Sequence, residues 1–230
     1  MDKNTTIKGG VVMRSISQNA RRATQDIDLD FIRYSISDDS IKRFVERLNC
    51  VDGLDISIYG DITELKHQDY KEKRITIRIK DNEGTTLSLK MDIGVHSDCF
   101  LGQEEYIFDI SFQEDTVSLL IDSKAQMITE KLKSLIRFGA RSTRYKDVFD
   151  IYYLSETVDV EQLKECIKKY IFEDKTLQNV TTMDEVINRV ERVFNNQNYL
   201  KELEKSERNW TDVPTKQVLD KNLDFLKSIR

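Results

Sequence analysis

The chain has 230 residues, 39% hydrophobic and 33% charged, with 1 Pro and 8 Gly, which describes a folded globular protein and excludes a linker-rich or low-complexity one. A net charge of −5 excludes a protein that lives on bulk attraction to phosphate, while leaving room for a local basic patch. Three scattered cysteines without a CxxC pair exclude a disulfide framework or zinc site, and two histidines, His67 and His96, make histidine-based chemistry a poor expectation. No apolar run approaches membrane-spanning length and no signal-peptide pattern follows Met1, so a cytoplasmic protein with no membrane partner is expected. Chemistry is therefore expected from carboxylates, lysines and arginines.

In chain order, the first informative stretch is Lys8-Gly9-Gly10, followed by VVMRSI, which can open a helix. Adjacent glycines let a backbone approach another group closely, and the free N–H groups at a helix start bind phosphate oxygens. After a helix-sized interval comes RRATQDIDLDF, in which Asp26, Asp28 and Asp30 alternate with Ile27, Leu29 and Phe31. Strict alternation predicts a strand with carboxylates on one face. Residues two apart on a strand lie roughly 6–7 Å apart on the same side, so Asp26 and Asp28 can converge on one point. Like charges so close repel unless a cation neutralises them or one takes a proton. A hard divalent ion, Mg²⁺ or Mn²⁺, answers that need and leaves coordination positions open to phosphate. The ordinary alternative for such a run is a solvated strand face, and Asp30 reads as a strand-end charge.

Further along, Ile41, Phe44, Val45 and Leu48 recur at helical spacing, with Ser37, Asp38 or Asp39 available as the N-cap. LDISIYG (54–60) and EYIFDISF (105–112) read as strands. Between them, KRITIRIK places Ile75, Ile77 and Ile79 on one face with Thr76 and Arg78 on the other. The turn residues DNEG (81–84) then lead into TTLSLKMDIGV, whose apolar face carries Leu87, Leu89, Met91 and Ile93. The two runs predict a hairpin. Asp92 lies on the polar face and is the leading candidate for a third carboxylate, which would allow two ions to be held together for phosphoryl or nucleotidyl transfer.

Beyond residue 120 every apolar pattern has a spacing of three and four, from SKAQMITEKLKSLIRFG to KQVLDKNLDFLKSI. The expected layout is α+β over residues 1–120 and a helical region over 121–230.

KGGVVMRSISQNARRATQDIDLDF resembles the opening signature of the AbiEii-like family of toxins, in the polymerase-β-type nucleotidyltransferase superfamily. There a Gly-Gly or Gly-Ser turn and a helix lead into an R-x-T-x-D-x-D-like strand. A second block, ITEKLKSLIRFGARSTRYKDVFDIYYL (128–154), is similar to the family's segment combining EKL with R-x-K-D-x-x-D-x-x-x-L, and MDIGVHSD resembles its third-carboxylate strand. The matched blocks span residues 8–154. The resemblance implies a polymerase-β-like mixed sheet with flanking helices, followed by a helical region that brings Lys131 and Asp147 to the site. It implies metal binding by Asp26, Asp28 and, as third acidic position, Asp92. It also implies Gly9 and Gly10 beside the triphosphate, Lys131 on the phosphates, Asp147 near the site, and added phosphate contacts from Arg144 and Lys146. Asp150 can equally serve as a structural partner for Arg137, Arg141 or Arg144.

The implied activity is Mg²⁺-dependent transfer of a nucleoside monophosphate from a nucleoside triphosphate to an acceptor hydroxyl. A toxin acting on tRNA or another RNA, with a cognate antitoxin, is the first expectation. Transfer to a small molecule or a protein, and a degenerate nucleotide-binding member without catalysis, stay open. One departure stands out: family members generally carry a helical segment before the glycine turn, and here Gly9 follows almost at once.

Overall fold

A computed structural model describes residues 5–32, 35–65, 72–96, 103–108, 117–205 and 207–230. His67, Cys99 and the end of the predicted strand at 105–112 lie outside the described residues. The chain divides into two compact units, Met1–Asp122 and Ser123–Arg230.

The alternating runs become strands of a single mixed sheet in the first unit. β1 (Thr5–Lys8) runs into α1 (Gly9–Ser17), and the aspartate run forms β2 (Asp26–Ile32). α2 (Asp38–Leu48) begins at Ser37, whose side chain accepts a hydrogen bond from the Ser40 amide, so Ser37 is the N-cap among the three candidates. β3 (Leu54–Ile58) and a short β4 (Thr63–Leu65) follow. The predicted hairpin is β5 (Glu72–Asp81) and β6 (Thr86–His96), and β7 (Glu104–Phe108) and β8 (Val117–Ile121) complete the sheet. Its order is β3-β5-β6-β2-β1-β8-β7, with β4 on β5. β2 pairs antiparallel with β1 and parallel with β6, and β1 pairs parallel with β8.

One sheet face is the core. Leu29 and Phe31 of β2, Ile75 and Ile77 of β5, and Met91 and Ile93 of β6 pack there with Ile41 and Val45 of α2. Burial of this kind contributes about 25 cal/mol per Å² of apolar surface, which fixes the register, because a slip of one residue would turn the aspartates inward. Leu87 departs from the predicted apolar face and is 58% exposed. β2 pairs with β6 only from Lys90 onward, so the start of β6 extends past that neighbour.

In the second unit the three-and-four spacings become α3 (Lys124–Phe138), α4 (Lys146–Ser155), α5 (Val160–Ile167), α6 (Met183–Phe194) and, after a short α7 (Gln197–Leu203) that no spacing announced, α8 (Thr215–Ser228). α3 is capped by Ser123, and α6 by a reciprocal Thr182–Glu185 capping box. α3 packs on α4, α5 and α6, and α4 packs on α8. Val148, Phe149, Ile151 and Leu154 of α4 are buried in this helical core.

Candidate active site

The second sheet face carries the charges, and the strand register brings them together. β1, β2, β6 and β5 are neighbours, and Lys8, Asp28, Asp92 and Arg74 form successive Cα partners across them. With strands about 4.8 Å apart, two carboxylates stand side by side in the middle of this row, with a cation at each end. Asp26 lies one step along β2, opposite Lys90 of β6.

Each charge in the row has a different environment. The Arg74 guanidinium grips Asp92 through both carboxylate oxygens, Nε to Oδ1 at 2.7 Å and a terminal nitrogen to Oδ2 at 2.7 Å. This fork is the strong geometry for an arginine–carboxylate pair. The hydrogen bond to Asp92 pushes the Arg74 pKa above its ordinary value, against the opposing effect of burial, and the charges of Asp92, Asp26 and Asp28 push in the same direction. Lys8 turns toward Asp30 at 2.9 Å and Glu72 at 3.6 Å. Asp30 is therefore not a strand-end charge: it is 1% exposed and belongs to a buried ionic cluster. Burial of that kind is tolerated because Lys8 offsets the desolvation of the carboxylates.

The glycine pair sits against the aspartates. Gly9 has φ +70°, and a Cβ there would stand 2.9 Å from Cγ of Asp28, with Oδ2 nearer still. At Gly10 a Cβ would meet Thr24, whose hydroxyl donates to the Asp26 carbonyl. The two glycines thus bring the start of α1 against Asp28 and the chain leading into β2. α1 has no side-chain cap from Lys8 and no acidic residue in its first turn. Its positive dipole end and first-turn N–H groups therefore adjoin the Asp28 carboxylate.

A separate polar network lies inside the second unit. Lys131 of α3 reaches Asp147 at 2.9 Å and Asp150 at 2.8 Å, both on α4 one turn apart. Asp150 is fully buried and also accepts from the Trp210 indole N–H at 3.0 Å. The ion pair described for Asp150 is thus with Lys131, where the sequence had offered Arg137, Arg141 or Arg144. The reason is helix geometry: positions 147 and 150 share the face of α4 that turns toward α3. Arg137 bonds Thr176, Arg144 and Arg141 are exposed, and Lys146 is half-buried. Tyr199 is buried beside this network, its ring 5.3 Å from that of Tyr145. Burial, and then the negative charge of Asp147, push its hydroxyl pKa up.

The donor chemistry fits a hard divalent cation at Asp26 and Asp28, two carboxylates on one face of one strand. Asp92 is held by Arg74, and among the described residues no three carboxylate, histidine or cysteine side chains gather as a ready-made cation cage. Glu72 and Arg74 belong to no motif in the sequence, and Lys8 stands there only as the residue before the glycine pair. Arg74 shares the parity of Thr76 and Arg78 on the polar face of β5, so the alternation carried the signal, while its pairing with Asp92 needed the hairpin register.

A sequence profile described as "Nucleotidyl transferase AbiEii toxin, Type IV TA system" matches residues 1–225. No curated protein matches the chain. No helix among the described residues is long and apolar enough to cross a membrane.

Proposed function

The chain belongs to the AbiEii family of nucleotidyltransferase toxins of type IV toxin–antitoxin systems, and from that premise we propose that it transfers a nucleoside monophosphate from a nucleoside triphosphate to a hydroxyl of RNA, tRNA foremost. The observation that carries this reading is the pairing of Asp26 and Asp28 with the Gly9–Gly10 helix start on one sheet face. The family further implies a cognate antitoxin as protein partner.

On this reading Asp26 and Asp28 would hold Mg²⁺ or Mn²⁺, with Asp92 as the third acidic group of the site. When bound, such an ion neutralises charge developing on the phosphate oxygens. The first N–H groups of α1 donate hydrogen bonds to phosphate oxygens and orient the triphosphate. The acceptor oxygen forms its bond to the α-phosphorus as the bond to the β-phosphate oxygen breaks, pyrophosphate leaves, and the hydroxyl proton passes to a carboxylate, assigned here to Asp92. Lys131, Arg144 and Lys146 are assigned to the phosphates, and Asp147 to orienting Lys131, by the family motif and the Lys131–Asp147 ion pair. Most of the acceleration then comes from positioning and fixed charge. The exposed Arg141 and Arg144 favour an RNA acceptor over a small molecule, because they offer phosphate contacts on an otherwise acidic protein.

The test is label transfer from each α-³²P nucleoside triphosphate to total RNA, with Asp26→Asn and Asp28→Asn alongside. Transfer by the wild type and a loss of at least ~100-fold in both variants is expected, the scale on which losing a group that stabilises transition-state charge is felt. Transfer that survives both substitutions overturns the assignment of the pair. Label appearing on protein or on a small molecule instead of RNA overturns the acceptor.

A further inference from the structure

The carboxylate face of the sheet continues past the aspartates as a ledge. β2 begins at Asp26 and pairs with β6 only from Lys90 onward, so residues 86–89 of β6 reach beyond it. Register sets three polar rows there. Lys90 stands between Asp26 and Thr76, Arg78 between Ser88 and Ser57, and Lys80 between Thr86 and Asp55. Just past β3, the Tyr59 amide donates to the Thr76 carbonyl at 2.8 Å, which extends the β3–β5 ladder by one bond. The Arg78 guanidinium lies over the Tyr59 ring, 3.8 Å from its centre. With Arg78 against one side, the ring is still 55% exposed, so its other side is open. Arg78 Nε is buried and has no hydrogen-bond partner among the described residues. Lys73 and Arg74 of the same strand are paired with Asp38 and Asp92, whereas among the described residues no ion pair engages Arg78, Lys80 or Lys90. Both lysines are exposed, and Asp55 is the one acid that these rows add to Asp26.

We infer that this ledge is the track of a single-stranded RNA segment whose end reaches the aspartate pair, with a base stacked on Tyr59 and phosphates on Lys80 and Lys90. The inference rests on the reading of RNA as the acceptor and adds where on the chain it lies. Every base has a π-face, so an open aromatic ring takes a single strand without regard to sequence. The guanidinium behind the ring adds positive charge and a cation–π contact that holds the ring in place. Same-face positions on a strand step by about 6.8 Å, the scale of one nucleotide in an extended strand, so the cations of β5 are spaced to meet consecutive phosphates. A duplex is a poor fit, because its bases are stacked on one another and offer no free face to the ring. On a chain of net charge −5, cations without ion pairs beside the carboxylates mark where a polyanion can approach. Lys90 closes the track, next to Asp26 in the register.

Fluorescence anisotropy of a short labelled single-stranded RNA, titrated with the full chain in the absence of divalent ion and nucleotide, tests this without turnover. Tyr59→Ala is expected to weaken binding about tenfold, the scale of one lost base–aromatic stack, while Tyr59→Phe stays within about twofold of wild type. Lys80→Gln combined with Lys90→Gln is expected to reduce the slope of log affinity against log salt by about 1.4, the equivalent of two phosphate contacts. A merely structural role would leave that slope alone. Asp26→Asn is expected to bind the RNA at least as tightly as wild type, since it removes only a repelling charge. Wild-type affinity in Tyr59→Ala, or an unchanged slope in the lysine pair, overturns the track; if label transfer to RNA is intact, the track alone falls. Both losses in a protein that transfers no label support the track while the transfer reading fails. Duplex RNA of the same sequence binding as tightly as the single strand overturns it. So does a nucleoside triphosphate that displaces the RNA at equal concentration, because the ring is then the nucleotide's own platform. No RNA binding by the wild type at low salt removes the RNA acceptor and the track with it.

Discussion

Replacing Gly9 by alanine probes the junction on which the proposed site depends. The residue sits at φ +70°, a left-handed conformation that costs an L-residue about 1–2 kcal/mol. The added methyl would also stand 2.9 Å from Cγ of Asp28 and closer to its Oδ2, so the carboxylate must swing aside. Forcing that side chain off its rotamer adds about 0.5–1.5 kcal/mol, for a total of about 1.5–3.5 kcal/mol. Gly60 supplies the control: it has φ +79° with nothing within 4 Å, so Gly60→Ala meets only the backbone term, about 1–2 kcal/mol. Trp210, the single tryptophan, lies in the other unit and does not report on this one, so hydrogen exchange of amides in residues 5–32 is the appropriate measurement. Gly9→Ala is expected to lower protection there by roughly 1 kcal/mol more than Gly60→Ala lowers it in its own strand pair, and to weaken Mn²⁺ binding at least ~tenfold through displacement of Asp28. Equal losses in the two variants, with Mn²⁺ affinity unchanged in Gly9→Ala, would refute the claim that the glycine exists to admit the carboxylate.

Two further expectations concern the helical unit. Lys131→Met leaves the fully buried Asp150 with the Trp210 indole as its described hydrogen-bond donor, and is expected to destabilise that unit by about 3–5 kcal/mol, read by urea unfolding followed through Trp210 fluorescence. A loss under about 1 kcal/mol would mean that Asp150 does not depend on the lysine. Tyr199→Phe acts in the opposite direction, since its buried hydroxyl has no hydrogen-bond partner among the described residues and its removal is expected to be neutral or to stabilise by up to about 1 kcal/mol. Because its folded pKa is raised, first by burial and then by the charge of Asp147, the stability that the neutral hydroxyl contributes is fully present below the unfolded value of about 10 and lost as pH rises beyond it. The phenylalanine variant is expected to flatten that alkaline decline, and an unchanged decline between about pH 10 and 11 in thermal unfolding would refute the assignment.

Much of the fold is written in local spacing. Alternation marked the aspartate strand and the β5–β6 hairpin, and three-and-four spacing marked α2, α3, α4, α5, α6 and α8. The short elements escaped, among them β1, β4, β8 and α7, because three to seven residues hold too few repeats to show a period. Leu87 shows the limit of even a correct pattern: its parity is right, but exposure depends on how far the neighbouring strand extends.

The site divides along the same line. The sequence by itself determined that Asp26, Asp28 and Asp30 share a face, that Asp92 is polar-side on its own strand, and that a glycine turn precedes them, because each is a property of neighbouring residues. Only the tertiary structure decided what each charge meets. Insertion of β1 between β2 and β8 brings Lys8 to Asp30, pairing of β5 with β6 brings Arg74 to Asp92, and packing of α3 on α4 brings Lys131 to Asp147 and Asp150. These partners are separated by 16 to 22 positions, and ion pairing falls off with distance in space rather than along the chain, so no local pattern could have named them.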